Sequence, residues 1–297
     1  MDKNPKFSEK QTEQKDLFGF TIVIPAYNES TSIADTISEI QKLSGEFEII
    51  VVDDGSTDGT SEQLADKQVK VITHMTNRGY GASLKSGIRN ANYETIVITD
   101  ADGTYPNDMI NNLVDTFDKG CFDMVVGART RKNIQIPLIR RPAKWFINKL
   151  ASYLSGRAIP DLNSGLRVMK KSVVERYIHL LPDGFSFTST ITLAMLTNGY
   201  NVKFMRINYF KRRGKSKIRP IHDTLNFIIL IIRMVLYFDP LRIFLPLSLL
   251  LTIPGFFLIL FQAFFYQNIG TISVIISLGG IQLLAIGMLA DLIDKRI

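Results

Sequence analysis

The sequence is poor in the residues that build covalent cross-links and soft metal sites. Among its 297 residues it has one cysteine, Cys121, and three histidines that are scattered along the chain. A lone cysteine excludes an intrachain disulfide framework and a thiolate zinc cluster, and scattered histidines make no His-rich metal site. Any metal ion that the chain holds is therefore expected to have oxygen ligands.

Charge is missing from two C-terminal stretches. No charged residue occurs from Ile243 to Tyr266 or from Thr271 to Ala290, and only the segment QNIG separates the two runs. Each run reaches the roughly 20 residues that are needed to cross a bilayer core. We predict two transmembrane helices here; a pair of buried core helices is the alternative.

An apolar stretch is also missing from residues 1–19, which are polar and charged. Without such a stretch there is no signal-peptide pattern, so the N-terminal domain is expected to stay in the cytosol. Arg233 and Arg242 precede the first predicted span, and Lys295 and Arg296 follow the second. The positive-inside rule then predicts an integral membrane protein whose catalytic domain and termini are all cytoplasmic.

Acidic residues are absent between Gly184 and His222, where basic residues are concentrated. The basic residues of this segment are Lys203, Arg206, Lys211, Arg212, Arg213, Lys215, Lys217 and Arg219. Such a cluster directly before membrane spans favours contact with anionic headgroups or with a phosphate-bearing lipid. Nucleic acid is the rival partner for a basic patch, but the adjoining spans make it the weaker one, and we expect no nucleic acid.

Short strand-like runs alternate with helix-like stretches through the first half of the chain. The strand-like runs are FTIVIP, FEIIVVDD, VKVIT, TIVITD and DMVVGA, and the helix-like stretches include 31–43 and 107–118. This alternation predicts an α/β fold with a mostly parallel sheet covered on both faces. Ligands of such sheets bind beyond the carboxyl ends of the strands, where PAYNE, DDGSTDG, DADGT and GAR all fall. These four polar clusters should thus lie together along the edge of the sheet where the parallel strands end, which we call the rim.

Beyond Arg129 the pattern loosens. It predicts helices near 142–155, 170–180 and 187–199 and a strand near 202–207. The stretch 221–238 differs again, because its few polar side chains fall on one helical stripe among apolar residues. We predict an interfacial amphipathic helix there. A third span is the alternative, although Arg233 in its middle would be costly.

Two aspartates follow the strand-like run TIVIT, with one alanine between them. In an extended segment Asp100 and Asp102 project to the same side while Ala101 points away. Carboxylates this close repel each other, and a shared hard cation resolves the conflict. Mg²⁺ or Mn²⁺ with a diphosphate is the natural occupant; a turn lying wholly in water is the alternative. The acidic pair Asp53 and Asp54 and the turn GSTDG strengthen the first interpretation.

Several stretches carry a family resemblance. IVIPAYNES, IIVVDDGSTDGT, NRGYGASLKSGI and VITDADGTYP resemble, in order and spacing, family 2 glycosyltransferases of the GT-A fold over residues 20–130. VVGAR, DLNSGLRVMKKSVV and RRGKSKI, followed by two spans, resemble the polyprenyl-phosphate glycosyltransferases. That group contains dolichyl-phosphate mannose synthases and bacterial undecaprenyl-phosphate glucosyl- and aminoarabinosyltransferases. The resemblance covers almost the whole chain after residue 19.

The resemblance implies a donor site. The implied nucleotide-sugar-binding residues are Pro25, Ala26, Tyr27, Glu29, Asp53, Asp54, Asp100, Ala101 and Asp102. Among these, Asp54, with Asp53, would accept a hydrogen bond from the base or ribose, and Asp100 and Asp102 would hold the metal on the sugar diphosphate. Many relatives read D-A-D-L-Q, with the glutamine assisting the metal, whereas Gly103 and Thr104 follow here. A third protein ligand is therefore in doubt.

The resemblance also implies an acceptor site. The implied phosphate-binding residues are Arg129, Arg140, Arg141, Ser164, Arg213, Ser216 and Lys217. Bidentate guanidinium pairing suits a phosphate oxyanion, which supports Arg129 and Arg213 as catalytic residues. Asp161 is the candidate for any base role, and Gly165 beside Ser164 permits close backbone approach.

Taken together, the patterns and the resemblance predict a GT-A (Rossmann-like) α/β domain with a membrane anchor. A polar tail (1–19) precedes the catalytic domain (20–220), an interfacial helix (221–238) and a two-helix transmembrane domain (239–297). The expected activity is inverting transfer of a hexose from a nucleotide sugar, with a UDP-sugar slightly favoured, to dolichyl or undecaprenyl phosphate. Assembly into a homo-oligomer through the membrane helices is a further interpretation.

Four alternatives stay open. A processive polysaccharide synthase shares the fold but would normally show a Gln-x-x-Arg-Trp motif and more spans, and the single tryptophan, Trp145, lies in PAKWF. A GDP-mannose-dependent dolichyl-phosphate mannose synthase is a second. A catalytically silent membrane adaptor is a third. A nucleotidyltransferase, which releases pyrophosphate, is the fourth, and it would not need two spans.

Overall fold

In the computed structural model of the chain, most strands of the sheet are buried runs rich in β-branched residues. The structure describes residues 19–129, 149, 152–153, 156–210, 236 and 239–294. The strands are β1 (Phe20–Ala26), β2 (Phe47–Asp53), β3 (Lys70–Thr73), β4 (Thr95–Ile98), β5 (Met124–Ala128), β6 (Arg167–Lys170) and β7 (Val202–Arg206). All strands expected from the sequence are confirmed within a few residues.

The strands form one seven-stranded sheet in the order β3-β2-β1-β4-β6-β5-β7. Strand β1 pairs in parallel with β2 and β4, so Ala26 lies beside Asp53 and Val23 beside Ile98. Strand β6 is antiparallel to both of its neighbours, β4 and β5. The sheet is therefore mostly parallel, as expected, but the inserted antiparallel strand was not predicted. Its four residues begin with an arginine, which hides the strand pattern.

Helices cover both faces of the sheet. They are α1 (Ile33–Ile40), α2 (Tyr80–Arg89), α3 (Ile110–Lys119), α4 (Lys171–Tyr177) and α5 (Phe187–Thr197), with 3₁₀ turns at Glu62–Leu64 and Asn107–Met109. Helices α1 and α3 pack on one face with Ile22 and Ile24, while α2, α4 and α5 pack on the other with Val23. The expected apolar face of α1 is confirmed, since Ile33, Ile37 and Ile40 are fully buried.

Two long apolar helices end the described chain, α6 (Leu241–Tyr266) and α7 (Thr271–Asp294). Both are long and apolar enough to cross a membrane, and most of their side chains are exposed. That exposure contradicts the alternative of buried core helices. The helices pack on each other where glycines allow close approach: a Cβ on Gly255 would meet Ser277, and one on Gly280 would meet Thr252.

Parts of the expected organisation lie outside the described residues. These are the polar tail up to residue 18, most of the helix expected near 142–155, and nearly all of the interfacial helix expected at 221–238. The domain boundaries placed at residues 220 and 238 therefore stay predictions.

Candidate active site

The first polar cluster is built where β1 and β2 end side by side. The backbone N–H of Asn28 donates to Ser56 Oγ at 2.9 Å, and that of Thr57 donates to Asn28 Oδ1 at 2.8 Å. The N–H of Glu29 donates to Thr60 Oγ1 at 3.0 Å. The segments PAYNE and GSTDG are thus hydrogen-bonded to each other on one rim, as expected. Pro25 and Ala26 are buried here, whereas Tyr27 and Glu29 are half-buried.

Asp53 and Asp54 are held by donors from the protein itself. Asp53 Oδ1 accepts from the Ser56 N–H at 3.0 Å, and its other oxygen accepts from the Ser61 hydroxyl. Asp54, which is 3% exposed, accepts from the N–H groups of Arg78 at 2.9 Å and Gly79 at 2.7 Å. These bonds fix the turn that starts α2. Contact of either carboxylate with a nucleotide stays a prediction.

His74 was not foreseen as a site residue. Its Nδ1 lies 2.6 Å from Asp54 Oδ1 and its Nε2 lies 2.9 Å from Ser86 Oγ. The residue follows β3 directly, and β3 pairs with the strand that ends at Asp53. This position directly after a strand was the signal in the sequence that could have identified His74. His74 ties Asp54 to helix α2.

Asp100 and Asp102 form the second acidic pair, at the end of β4. The Tyr80 hydroxyl donates to Asp100 Oδ1 at 3.0 Å, and Asp100 is half-buried. Asp102 Oδ1 accepts from the Thr104 N–H at 3.1 Å and from its hydroxyl at 2.6 Å. Ala101 is buried as expected, with its carbonyl accepting from Thr36 Oγ1 at 3.2 Å. The expected extended segment is wrong, however, because β4 ends at Ile98 and Ala101 and Asp102 lie in a turn, in which Asp102 is buried too.

A close backbone approach completes the surroundings of Asp100. A Cβ on Gly165 would lie 2.8 Å from Asp100 Oδ1 and 2.9 Å from Oδ2, so only glycine leaves the carboxylate where it is. The Gly165 N–H donates to the Tyr105 hydroxyl at 2.6 Å. The expectation that the Ser164–Gly165 pair lets the backbone come close is confirmed, and the group it approaches is Asp100.

The donor set fits a hard divalent cation. Among the described residues no group of three or more His, Cys, Asp or Glu side chains could hold a metal ion. Two carboxylates separated by one residue suit Mg²⁺ or Mn²⁺, which completes its shell with water and phosphate oxygens. Thr104, at the position where many relatives carry glutamine, bonds to Asp102 instead.

Two buried phenols stand beside this pair. Burial raises the pKa of Tyr80 well above its ordinary value, and the charge of Asp100 adds to the shift. Burial also raises the pKa of Tyr105. Both phenols therefore keep their protons at neutral pH, which makes Tyr80 a lasting hydrogen-bond donor to Asp100.

Arg129 leaves β5 and pairs with Asp161. Its Nε donates to Asp161 Oδ2 at 2.7 Å and its Nη2 to Oδ1 at 2.9 Å, and its guanidinium lies 5.2 Å from the Tyr209 ring centroid. Burial opposes the charged form, but Tyr105 and Asp161 outweigh it and raise the pKa of Arg129. Nη1 makes no hydrogen bond within the described ranges, so two N–H groups are left for a ligand.

The same geometry corrects the role expected for Asp161. Its side chain is 1% exposed, and both oxygens accept from Arg129. A carboxylate so engaged is poorly placed to take a proton from a substrate. The structure gives it the task of holding Arg129, and the base role has no support.

Ser164 also departs from its expected role. It is fully buried, and its hydroxyl donates to the carbonyl of Gly127. Its own carbonyl accepts from Arg167 Nε at 3.2 Å. Burial prevents the hydroxyl from reaching a phosphate in this arrangement. Ser164 instead fixes the loop that carries Gly165 to Asp100.

Arg167 is the buried support of that loop. It is 0% exposed and donates from Nη1 to the Thr188 carbonyl at 2.9 Å and to Thr192 Oγ1 at 3.0 Å. Burial lowers its pKa to about 10, so the group stays charged at neutral pH. The motif DLNSGLR ends at Arg167, but its partners on α5 could not be foreseen from the sequence.

The remaining expected acceptor residues lie outside the described residues. They are Arg140, Arg141, Arg213, Ser216 and Lys217. The chain just before the last three is nonetheless described: the Phe210 N–H donates to the Thr104 carbonyl at 2.9 Å. Phe210, the last described residue before this segment, therefore lies next to the turn of Asp102.

Comparison with known families gives two matches. Residues 21–178 match the family described as glycosyl transferase family 2, and residues 239–295 match the GtrB C-terminal hairpin. The first match covers the whole rim from β1 through α4. The second covers the helical hairpin α6–α7.

Curated relatives also match the chain. One is the dolichyl-phosphate hexose transferase of Haloferax volcanii, 29% identical over 201 residues, which are 67% of this chain and 86% of the relative. Another is the undecaprenyl-phosphate 4-deoxy-4-formamido-L-arabinose transferase of Photorhabdus laumondii, 35% identical over 165 residues. That match spans 52% of this chain and half of the relative.

Solved structures share the fold. The glucosyl-3-phosphoglycerate synthase of Mycobacterium tuberculosis, crystallised with Mn²⁺, UDP and glucosyl-3-phosphoglycerate, aligns with a TM-score of 0.59 at 18% identity. The alignment covers 73% of this chain and 80% of that one. The same synthase with Mg²⁺ and UDP gives 0.59 at 16% identity. At such identity the likeness shows the fold alone.

Proposed function

The chain belongs to glycosyl transferase family 2, and we propose that it transfers a hexose from a nucleotide sugar to a polyprenyl phosphate, with inversion at the anomeric carbon. The names of the two curated relatives, one acting on dolichyl phosphate and the other on undecaprenyl phosphate, support this acceptor class. The match of the C-terminal hairpin supports a membrane-bound enzyme. A UDP-sugar is the favoured donor.

The observation that carries the proposal is the pair Asp100 and Asp102 on the rim beyond β4. Tyr80 and Gly165 hold Asp100 in place, and both carboxylates would bind Mg²⁺ or Mn²⁺ on the donor diphosphate. When bound, the cation would neutralise charge on the leaving nucleoside diphosphate. Pro25, Ala26, Tyr27 and Glu29 would line the nucleotide pocket beside them.

The acceptor phosphate would be held from the other side of the rim. Arg129 offers Nη1 while Asp161 keeps its guanidinium in position. Arg213, Ser216 and Lys217, together with Arg140 and Arg141, would complete the phosphate site. The phosphate oxygen of the lipid is already ionised at neutral pH, so it can attack without a strong general base. Catalysis would rest on positioning and on charge neutralisation.

The hairpin would anchor the enzyme at the cytoplasmic face of the membrane. Two spans return the chain to the cytosol, so labels at Lys15 and Lys295 should be on the same side of sealed vesicles. Labels on opposite sides would mean that 221–238 forms a third span. This topology experiment tests only the membrane anchor, and its result does not depend on the proposed reaction.

Transfer itself is tested with the full-length protein in detergent, a radiolabelled UDP-sugar, a polyprenyl phosphate and Mn²⁺. We expect one labelled lipid-linked sugar per acceptor, release of UDP, and loss of both products in EDTA. A polymer would indicate a processive synthase, and pyrophosphate would indicate a nucleotidyltransferase. Donor binding without any product would indicate an adaptor. Each of these results would overturn the proposal.

The donor base is tested with a thermal-shift panel of UDP- and GDP-sugars. A ligand at 100 times its Kd adds about 2.7 kcal/mol to stability, which is readily measured. We expect a shift with a UDP-sugar that needs Mn²⁺. A shift with GDP-mannose alone would instead identify the mannose-type donor.

A further inference from the structure

The guanidinium of Arg129 is held by two different kinds of contact. Asp161 accepts at one edge, from Nε at 2.7 Å and from Nη2 at 2.9 Å. The guanidinium also lies over the ring of Tyr209, with 5.2 Å between Arg129 Cζ and the ring centroid. The ion pair uses Nε and Nη2, so the direction of the remaining Nη1 group depends on both contacts together.

Tyr209 reaches Arg129 because the chain after β7 runs beside the end of β5. Ala128 pairs with Arg206 in the ladder, and the Ile207 N–H donates to the Ala128 carbonyl at 3.0 Å. Ile207 and Tyr209 are two residues apart, and both pack on the same apolar core. Tyr209 is therefore brought beside the residue that follows Ala128.

Tyr209 is in turn held by the turn that follows Asp102. The ring of Tyr105 meets it edge-on, with the centroids 5.4 Å apart and the planes at 72°. Tyr105 is 2% exposed, and its hydroxyl accepts from the Gly165 N–H at 2.6 Å. The neighbouring Phe210 donates its N–H to the Thr104 carbonyl at 2.9 Å. The tyrosine is thus fixed before any ligand binds, which lowers the entropy that a ligand must overcome.

The ring of Tyr209 makes these contacts, and its hydroxyl does not. The hydroxyl has no hydrogen-bond partner among the residues that the structure describes. An aromatic face attracts a cation through its quadrupole, and the attraction grows as water is excluded. The side chain of Arg129 is 19% exposed, so little water screens this contact.

We propose that Tyr209 is a positioning residue, which holds the Arg129 guanidinium in the orientation that receives the acceptor phosphate. The inference rests on the proposed function, because it takes the phosphate as the ligand of Nη1. The ion pair with Asp161 alone permits rotation about the line that joins the two groups, and a ring packed on the guanidinium restricts that rotation. Since Tyr209 also contacts Tyr105, three residues after Asp102, one side chain keeps the arginine and the acidic pair in a single arrangement.

The test separates acceptor binding from donor binding in the full-length protein in detergent. Farnesyl phosphate, a short isoprenyl phosphate, is titrated calorimetrically in the presence of UDP and Mn²⁺, so no sugar can be transferred. Tyr209→Leu removes the ring, and its Kd for farnesyl phosphate should rise about tenfold, the factor expected for a largely desolvated cation–π contact. In the transfer assay, kcat/KM for the acceptor should fall by at least as much. The Kd for UDP with Mn²⁺ should change by less than about twofold.

Tyr209→Phe keeps the ring and removes only the hydroxyl. Its Kd for farnesyl phosphate should stay within about threefold of that of the unmodified chain. A loss as large as that of Tyr209→Leu would assign the contact to the hydroxyl and overturn the role of the ring.

A double-mutant cycle tests whether Tyr209 acts through Arg129. Arg129→Gln removes the cation but keeps an amide that can donate to Asp161. In that background Tyr209→Leu should weaken farnesyl phosphate binding by less than about twofold more, because two residues that act through one contact are not additive. An additive loss would show that Tyr209 acts independently of the arginine and would overturn the proposal.

The matched control is Tyr200→Leu, the same change at a half-buried tyrosine before the other end of β7. Its ring also meets another tyrosine edge-on, Tyr177 at 6.1 Å. Its Kd for farnesyl phosphate should stay within about twofold of that of the unmodified chain. The inference fails if Tyr209→Leu binds as tightly as the unmodified chain, or if Tyr200→Leu loses as much.

Failure of this inference is distinguishable from failure of the proposed function. An unmodified chain that transfers sugar to a polyprenyl phosphate, together with an unaffected Tyr209→Leu variant, would refute the role of Tyr209 alone. An unmodified chain that neither binds farnesyl phosphate nor forms a lipid-linked sugar would refute both.

Discussion

The two acidic pairs of the rim have similar sequences and different surroundings. Asp53 and Asp54 accept hydrogen bonds from Ser56, Ser61, His74, Arg78 and Gly79, which come from separate parts of the chain. Asp100 and Asp102 accept from Tyr80 and from the neighbouring Thr104, and Asp100 is half-buried. The first pair holds loops together. Under the proposed function, the second would hold the cation.

The difference teaches that an acidic pair after a strand has no single meaning. Where backbone N–H groups surround a carboxylate, its charge stabilises the fold. Removing that carboxylate leaves the buried donors unsatisfied. Where the donors include one phenol, as Tyr80 is for Asp100, or the turn that follows, as Thr104 is for Asp102, the charge can serve a cation. Four substitutions separate these roles by their effect on Mn²⁺-dependent transfer.

The largest effect is expected at Asp102. Asp102→Asn keeps the size of the side chain but removes half of the charge that the cation needs, so kcat should fall by about 10³-fold or more. Nucleotide binding should also lose its dependence on Mn²⁺, while the melting temperature changes little. Activity that persists in EDTA, in either protein, would remove the metal from the mechanism.

Gly165→Ala should have the next largest effect. Its Cβ would lie less than 3 Å from both oxygens of Asp100, so the carboxylate must move. Displacement of a catalytic group by about 1 Å can cost about 10²-fold in rate. The Mn²⁺ concentration for half-maximal transfer should rise together with the loss of kcat. Gly184→Ala serves as the control, because a Cβ there would meet nothing within 4 Å.

Tyr80→Phe should have a smaller effect of the same kind. The phenylalanine ring can keep its stacking on Phe185, whose centroid lies 5.7 Å away, but it cannot donate to Asp100. Loss of one hydrogen bond to a carboxylate should raise the half-maximal Mn²⁺ concentration about tenfold. An unchanged metal titration would show that Tyr80 does not orient the site.

Asp54→Asn should change the metal titration least. The asparagine amide cannot accept all the bonds that the buried carboxylate now accepts, so stability should fall by about 1–3 kcal/mol. For a domain of this size the melting temperature of the purified protein should drop by about 2–10 °C. The Mn²⁺ midpoint should not move. A shifted midpoint with normal stability would reverse the comparison between the two pairs.

Much of the fold was predictable because its signals are local. The buried runs of β1, β2, β4 and β5, the apolar face of α1 and the two spans each follow from a few adjacent residues. The family and its polyprenyl-phosphate group were also recognised from short motifs, and the family is confirmed by the match over 21–178. Strand β6 was missed, because a four-residue strand that begins with a buried arginine has no strand pattern of its own.

The partners within the site were not predictable in the same way. Asp161 reaches Arg129 across 32 residues, and Gly165 approaches Asp100 across a longer gap. Nothing near Asp161 in the sequence distinguishes a base from the counter-ion of an arginine. The same limit applies to Ser164 and His74, whose roles depend on carbonyl and carboxylate groups brought close by other elements.

The sequence by itself determined the α/β alternation, the place of an acidic pair after β4, the family and the C-terminal hairpin, because periodicity, charge and motif spacing are properties of neighbouring residues. Only the tertiary structure decided which carboxylates accept from distant parts of the chain and which accept from one phenol and from their own turn. Burial and hydrogen-bond donors set that choice, and both come from strands and loops that are distant in the chain.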